Sequence, residues 1–125
     1  MKKYDPNLAP DPEDWNNLDE GECMLLVKEY HECKQIELPN ADIHAVLHTI
    51  VENQILMGDE INTAKTLARL MTEGLDRHEA LHAIGYIVIE HMHKILESKT
   101  PFNEKEFNVE LDDLSVKKWK EIFSE

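Results

Sequence analysis

The sequence is poor in glycine and in basic residues, and it contains no long apolar run. Four glycines and five prolines among 125 residues give few turn signals, and the alternating β-branched segments that mark strands are missing. No apolar run approaches the roughly 18 to 20 residues that cross a bilayer. The opening stretch, MKKYDPNLAPDPEDW, turns acidic without an apolar core, so we expect no signal peptide. These absences predict an all-α, cytoplasmic protein with no membrane partner.

The charge is strongly one-sided. The chain has 26 acidic residues against 13 basic ones, which gives a formal net charge of -13. Such a charge repels nucleic-acid phosphates and attracts cations, so we expect no nucleic-acid partner. The two cysteines, Cys23 and Cys33, lie on one predicted helix. A helix would hold them about 15 Å apart, which is too far for a disulfide.

Capping residues, glycines and prolines divide the chain into helices. Asp11, Asn40 and Asp76 are predicted N-caps, and Gly58 and Gly74 are predicted stops. The pattern predicts helices over about 11–15, 18–33, 40–57, 60–73, 76–96, 103–111 and 115–123. We therefore predict a small helical bundle of about five to seven helices in a single domain, 1–125. Its parts are a metal-binding core (40–96), acidic N-terminal helices (11–35) and C-terminal packing helices (103–123).

Two of these helices each carry a pair of histidines. His44 and His48 are four positions apart, and so are His78 and His82. Residues at this spacing lie on one face of a helix, and both faces are otherwise largely apolar. Short connections make consecutive helices antiparallel, so we expect the two histidine helices, with one helix between them, to run parallel. The four imidazoles, a common type of metal ligand, then meet at one height.

The predicted metal site also includes two carboxylates. Glu52 lies one turn beyond His48, and Glu79 follows His78 directly. We expect one divalent ion, with zinc first and iron, nickel or manganese as alternatives. The predicted ligands are His44, His48, Glu52, His78, Glu79 and His82. The remaining histidines, expected to be solvated or peripheral, are His31, His91 and His93.

Residues 78–82 read H-E-x-x-H, the motif in which zinc proteases use the glutamate as a general base. Glu79 is therefore the candidate catalytic residue. It also stands three residues after Asp76, and we favour a capping box or a secondary ligand role over catalysis for it. No strands are predicted to align a peptide, and Glu90 lies about 18 Å along the helix from His78, too far to be a third ligand. A peptidase is the weaker interpretation, and whether the chain is an enzyme stays open.

The motifs HAVLHTIVENQI and RHEALHAIG together resemble a family of small bacterial proteins of unknown function. Those proteins carry H-x-x-x-H-x-x-x-E-Q in one helix and H-E-x-x-H in another, and the resemblance covers about residues 40–96. Here Asn53 separates Glu52 from Gln54, and Tyr86 stands where some relatives have a glutamate. The resemblance implies a bacterial metal-binding helical bundle, and it implies no particular function.

Three functions are compatible with these patterns. The first, which we favour, is a metal-binding helical bundle with a histidine-rich site between two parallel helices. The second is a metal-dependent hydrolase that uses Glu79 as general base. The third is an acidic helical interaction module whose histidines are core residues without metal. The state of association is left open, a homo-oligomer included.

Overall fold

The computed structural model describes residues 3–33 and 41–123. This part of the chain contains seven α-helices, one 3-10 helix and no strand, which confirms the all-α prediction. The 3-10 helix, Gly58–Glu60, joins the third α-helix to the fourth. The α-helices are α1 (Pro12–Asn16), α2 (Glu20–Cys33), α3 (Ala41–Leu56), α4 (Thr63–Thr72), α5 (Arg77–Ser98), α6 (Glu104–Asp113) and α7 (Val116–Phe123).

Local capping determines where several of these helices begin. Asp11, Asp76 and Asn103 each accept a hydrogen bond from the backbone N–H three residues further on, at 3.2, 2.8 and 3.2 Å. These starts agree with the predicted helices. The predicted N-cap Asn40 lies outside the described residues. Helix α4 begins later than predicted because Gly58, with φ of 63°, leads into the 3-10 turn instead.

Two apolar clusters hold the helices together. The larger one joins α3 to α4, α5, α6 and α7, and it includes Leu70 and Ile84, both completely buried. The smaller one joins the segment before α1, with α1 and α2, to α3. Helix α3 contributes Ala45 to the smaller cluster and Val51 to the larger one, and His48 lies between them along the helix. The centre of α3 is therefore buried on more than one side.

Helices α3 and α5 run in opposite directions, so the prediction that they are parallel was wrong. Arg77, the first residue of α5, contacts Glu52 in the later half of α3. His82, further along α5, approaches His44, nearer the start of α3. Helix α4 has only ten residues, about 15 Å, against 16 residues in α3. After the 3-10 turn this short helix delivers the chain beside the later half of α3, not back at its start.

Two further sequence expectations concern cysteine and the membrane. Cys23 is a buried free thiol, and its helix α2 extends to Cys33 as predicted. Among the described residues, no helix combines the length and the apolarity needed to cross a membrane. The division of the chain into a metal-binding core with flanking helices stays a prediction.

Candidate metal centre

Five histidines from three helices converge on one point and form what we call the histidine cluster. One ring nitrogen of each lies within 4.8 Å of the corresponding nitrogen of every other. Four of the five were predicted from their spacing. The members are His31 from α2, His44 and His48 from α3, and His78 and His82 from α5. The two helices predicted to carry the site do carry it, and a third helix joins them.

The centre of the cluster is a triangle of Nε2 atoms. Nε2 of His44 lies 3.0 Å from that of His48 and 3.1 Å from that of His82. The His48 and His82 atoms are 3.3 Å apart. Nitrogens bound at roughly 2.0–2.1 Å to one ion stand about 3.3–3.4 Å apart in tetrahedral geometry and about 2.9 Å apart in octahedral geometry. The observed separations fall in this range.

The orientation of His31 is determined by its own helix. Its Nδ1 lies 2.8 Å from the carbonyl oxygen of Val27, one turn earlier. A carbonyl only accepts, so Nδ1 carries a hydrogen, and in the neutral ring Nε2 is the nitrogen with the lone pair. That Nε2 lies 3.1 Å from Nε2 of His44. His31 therefore presents an electron pair to the triangle.

A buried chain of hydrogen bonds fixes the orientation and the tautomer of His48. The Tyr4 hydroxyl donates to Oε2 of Glu52 at 2.6 Å, so its oxygen accepts from Nδ1 of His48 at 3.1 Å. Both oxygens of Glu52 also accept from the Arg77 guanidinium, at 2.7 and 2.8 Å. The hydrogen of His48 is thus on Nδ1, and its Nε2 faces the cluster with a lone pair. Hydrogen-bond partners on the far ring nitrogen fix the orientation of metal-binding histidines, and here that partner is the Tyr4 hydroxyl, which Glu52 holds in place.

The segment that carries Tyr4 also crosses the start of α5. The carbonyl oxygen of Pro6 accepts from Nη1 of Arg77 at 2.9 Å. The Asn7 side-chain oxygen accepts from the backbone N–H of His78 at 3.1 Å. Residues 4–7 therefore bond to both helices of the two histidine pairs.

Hydrogen bonds within the cluster do not satisfy every ring nitrogen. The lone pairs of His31 and His48 both face Nε2 of His44, and a single N–H there can serve only one of them. If it serves His31, His48 is left with the longer contact to Nε2 of His82 at 3.3 Å. Nε2 of His78 is buried and has no hydrogen-bond partner within the part of the chain that the structure describes. Buried polar atoms without partners are costly, and a cation at the centre would bind the converging lone pairs. The residues present are therefore compatible with a metal ion.

Four of the imidazoles have lowered pKa values, which favour the neutral form that binds metal. Burial, reinforced by repulsion from neighbouring histidines, lowers the pKa of His44 to about 4 and that of His82 to about 3. The same causes lower the pKa of His48 and of His78. Rings with such pKa values are neutral near pH 7, and neutral imidazole is the species that coordinates an ion.

The two predicted carboxylates are not members of the cluster. Glu52 is only 2% exposed and is engaged by Arg77 and Tyr4, so it supports His48 from behind. Oε1 of Glu79 accepts from the indole N–H of Trp119 at 2.8 Å. Asp76 caps the start of α5 as predicted, whereas the Glu79 carboxylate bonds to Trp119 from α7. The predicted catalytic role of Glu79 stays a prediction.

His31 was missed by the sequence analysis, and the expectation that it is solvated or peripheral was wrong. It is 3% exposed and belongs to the cluster. A signal for it exists in the sequence. Cys23, Val27 and His31 follow one another at four-residue spacing, and all three are buried. This stripe marks the inner face of α2, and His31 is its last member.

The last two histidines lie on α5 beyond the cluster. His91, also expected to be solvated, is buried, and its ring stacks on Phe107 with centroids 5.2 Å apart. The α6 helix covers this part of α5, which the pattern of α5 alone does not reveal. His93 is exposed, as predicted.

A cavity of about 300 Å³ lies against one side of the cluster. Three of its lining residues are the histidines of the Nε2 triangle, and the others are mainly apolar. The lining consists of His44, Leu47, His48, Leu81, His82, Gly85, Tyr86, Ile89 and Trp119. The triangle thus has one face toward an open space.

Comparison of the chain with known protein families, with curated proteins and with solved structures finds no match. The resemblance to a family of small bacterial proteins stays a prediction. The evidence for a function therefore comes from the geometry of the histidine cluster.

Proposed function

We propose that this protein binds one divalent transition-metal ion at the histidine cluster. Nε2 atoms of His44, His48 and His82 are the central ligands, and His31 and His78 complete the set. The observation that carries the proposal is the convergence of five imidazoles from three helices within 4.8 Å, two of them buried and three half-buried. Burying that many polar rings around one point is costly without a shared partner, and a cation supplies one.

The donor set favours a single ion. Two-metal sites hold their ions about 3.5–4 Å apart, and bridging carboxylates commonly join them. Among the described residues, the cluster contains histidines alone. All-nitrogen ligands suit zinc, iron, nickel or copper far better than magnesium or calcium, which prefer oxygen. We place zinc first and iron and nickel next, with manganese last because it prefers oxygen ligands.

The surroundings of the cluster support this function. The chain from Arg77 through Glu52 and Tyr4 to His48 sets the tautomer of one ligand, and Val27 sets that of His31. Such outer contacts typically change metal affinity by 10–100-fold when removed. A buried ion pair placed behind a histidine is explained by this role, whereas burial alone makes such a pair expensive.

The test is elemental analysis of protein purified without an affinity tag and reconstituted with zinc. We expect about one equivalent in the wild type. His48→Ala and His82→Ala each remove a ligand, so we expect at least about tenfold weaker binding in both. Two histidines outside the cluster provide matched controls, one buried and one exposed. His91→Ala and His93→Ala should retain the full equivalent.

Circular dichroism and a competition assay with a coloured chelator complete the experiment. The expected pattern is loss of metal in the two cluster variants with helical content retained. Wild-type protein that takes up no zinc, iron, nickel or manganese would overturn the proposal. Folded cluster variants that bind metal as tightly as the controls would overturn it equally.

A further inference from the structure

The cavity is in contact with only part of the cluster. His44, His48 and His82 line it, whereas His31 and His78 do not. An ion held by the Nε2 triangle therefore has protein ligands toward one side and an open space toward the other. A coordination position that faces such a space is the arrangement that lets a metal bind a further molecule.

We propose that this cavity binds a small, uncharged, mainly apolar molecule that coordinates the metal through one donor atom. The inference rests on the proposed function, because the donor atom needs an ion to bind. It goes beyond that function, since a closed metal site with a purely structural role has no use for a ligand cavity.

The walls define the kind of molecule. Leu47, Leu81 and Ile89 are aliphatic, and Tyr86 and Trp119 are aromatic, with their ring centroids 6.2 Å apart. A charged group would lose its hydration against such walls. A volume of about 300 Å³ is at the lower end of ligand pockets and suits roughly ten non-hydrogen atoms or fewer. The ligand is therefore small and carries most of its surface as hydrocarbon.

Electrostatics disfavours an anion in particular. The chain has a formal net charge of -13, and the Glu79 carboxylate is bonded to Trp119, which lines the cavity. An incoming carboxylate meets this field before it reaches the ion. A neutral nitrogen heterocycle has the required donor atom, an apolar body and no charge, so it represents the ligand class in the test.

Gly85 gives a way to close the cavity without altering a ligand. A Cβ built at this position lies 3.8 Å from Cβ of Leu47, an ordinary contact, so the helix backbone tolerates a side chain there. The added atoms of valine would occupy the space between α3 and α5. Gly85→Val should therefore narrow the cavity beside Leu47 while the five histidines remain.

The experiment uses the full chain loaded with Co²⁺, whose visible absorption responds to a change in coordination. The probe is 4-methylpyridine, and acetate is the anionic comparison. We expect a saturable spectral change with 4-methylpyridine and a much weaker response to acetate. In Gly85→Val we expect at least about tenfold weaker binding of 4-methylpyridine with cobalt content unchanged. Met92→Val, on the same helix but outside the cavity, is the matched control and should behave as the wild type.

The possible results separate the two proposals. Cobalt-loaded wild type whose spectrum does not respond to 4-methylpyridine overturns the cavity proposal and leaves the metal site standing. Equal affinity in Gly85→Val and Met92→Val overturns it as well. Wild type that holds no metal overturns both proposals together. If Gly85→Val loses cobalt, Ile89→Phe narrows the cavity from another position, and unchanged probe binding in that variant counts against the cavity proposal.

Discussion

His48 and His91 are both buried, yet the two regions around them differ in what they offer an imidazole. His48 is 2% exposed and His91 is 4% exposed. Both ring nitrogens of His48 have polar neighbours, which are the Tyr4 hydroxyl at Nδ1 and the Nε2 atoms of His44 and His82 at Nε2. The ring of His91 stacks on Phe107, and its Nε2 has no partner in the described part of the chain. Burial of a histidine is therefore a poor sign of a site, whereas converging nitrogens with fixed tautomers are a good one.

The two regions differ in the same way in their ion pairs. Near the cluster, Arg77 and Glu52 form a pair whose side chains are 5% and 2% exposed. Near His91, Lys94 and Glu106 form a pair at 3.0 Å whose side chains are 56% and 52% exposed. Water screens the exposed pair but not the buried pair. Breaking the buried pair should therefore change the free energy of unfolding much more than breaking the exposed one.

The largest expected effect comes from breaking the buried pair. Glu52→Gln keeps the shape of the side chain but leaves the Arg77 charge buried without its counter-charge, which should lower the free energy of unfolding by about 3–5 kcal/mol. Glu106→Gln removes the carboxylate of the exposed pair and should cost about 0–0.5 kcal/mol. Urea denaturation of both variants measures the difference. Equal, small changes in the two would mean that the two regions are not distinct in this respect.

The next effect concerns the pH dependence of the metal-free protein. Unfolded histidine has a pKa of about 6.5, whereas folding lowers the pKa of His44 to about 4 and that of His82 to about 3. Between these values the unfolded chain binds more protons, so stability is full above about pH 6.5 and is lost as pH falls below it. Each histidine contributes a slope of up to about 1.4 kcal/mol per pH unit.

Urea denaturation at pH 7, 6 and 5 with a chelator present measures this slope. The variant His44→Gln lacks one of the titrating rings and should show a shallower slope than the wild type. Parallel curves for the two proteins would contradict the assignment of the effect to the cluster. His91→Gln, which alters a histidine outside the cluster, is the control and should leave the slope of stability against pH as in the wild type.

The smallest expected effect comes from removing one oxygen atom. Tyr4→Phe deletes the hydroxyl that accepts from His48, so the Nδ1–H of that ring loses its partner. We expect about 1–3 kcal/mol of lost stability and about tenfold weaker zinc binding. Tyr30→Phe is the control, because the Tyr30 ring packs against His31 and His78 and remains in place. Zinc binding that is equally affected in both variants would show that the hydroxyl has no special role.

Much of the fold and part of the site follow from local patterns. Caps such as Asp11 and Asp76 act within three residues, so the sequence predicts those helix starts directly. The spacing of His78 and His82 is local in the same sense. The direction of α5 relative to α3 is not local, because it depends on the short α4 and on the 3-10 turn before it. The parallel arrangement was therefore predicted wrongly, although the histidine pairs still meet.

The remaining parts of the site depend on contacts between distant residues. Arg77 and Glu52 are 25 positions apart, and Tyr4 and Glu52 are 48 apart. No sequence periodicity connects residues so far apart. Glu52 was therefore predicted to be a metal ligand, whereas in the structure it bonds to Arg77 and Tyr4. His31 could have been predicted from the sequence, because it continues the four-residue spacing of Cys23 and Val27 on the buried face of α2.

The bonds of residues 4–7 have a consequence for how the molecule would respond to an ion bound as proposed. This segment holds His48 through Tyr4 and the first turn of α5 through Asn7, so its docking and the shape of the cluster depend on the same contacts. Coupling between two such events is reciprocal by thermodynamic necessity. Anything that restrains the segment would then raise the affinity of the cluster for an ion, and a bound ion would restrain the segment. The early part of the chain thereby becomes a place where occupancy of the centre can be sensed from outside.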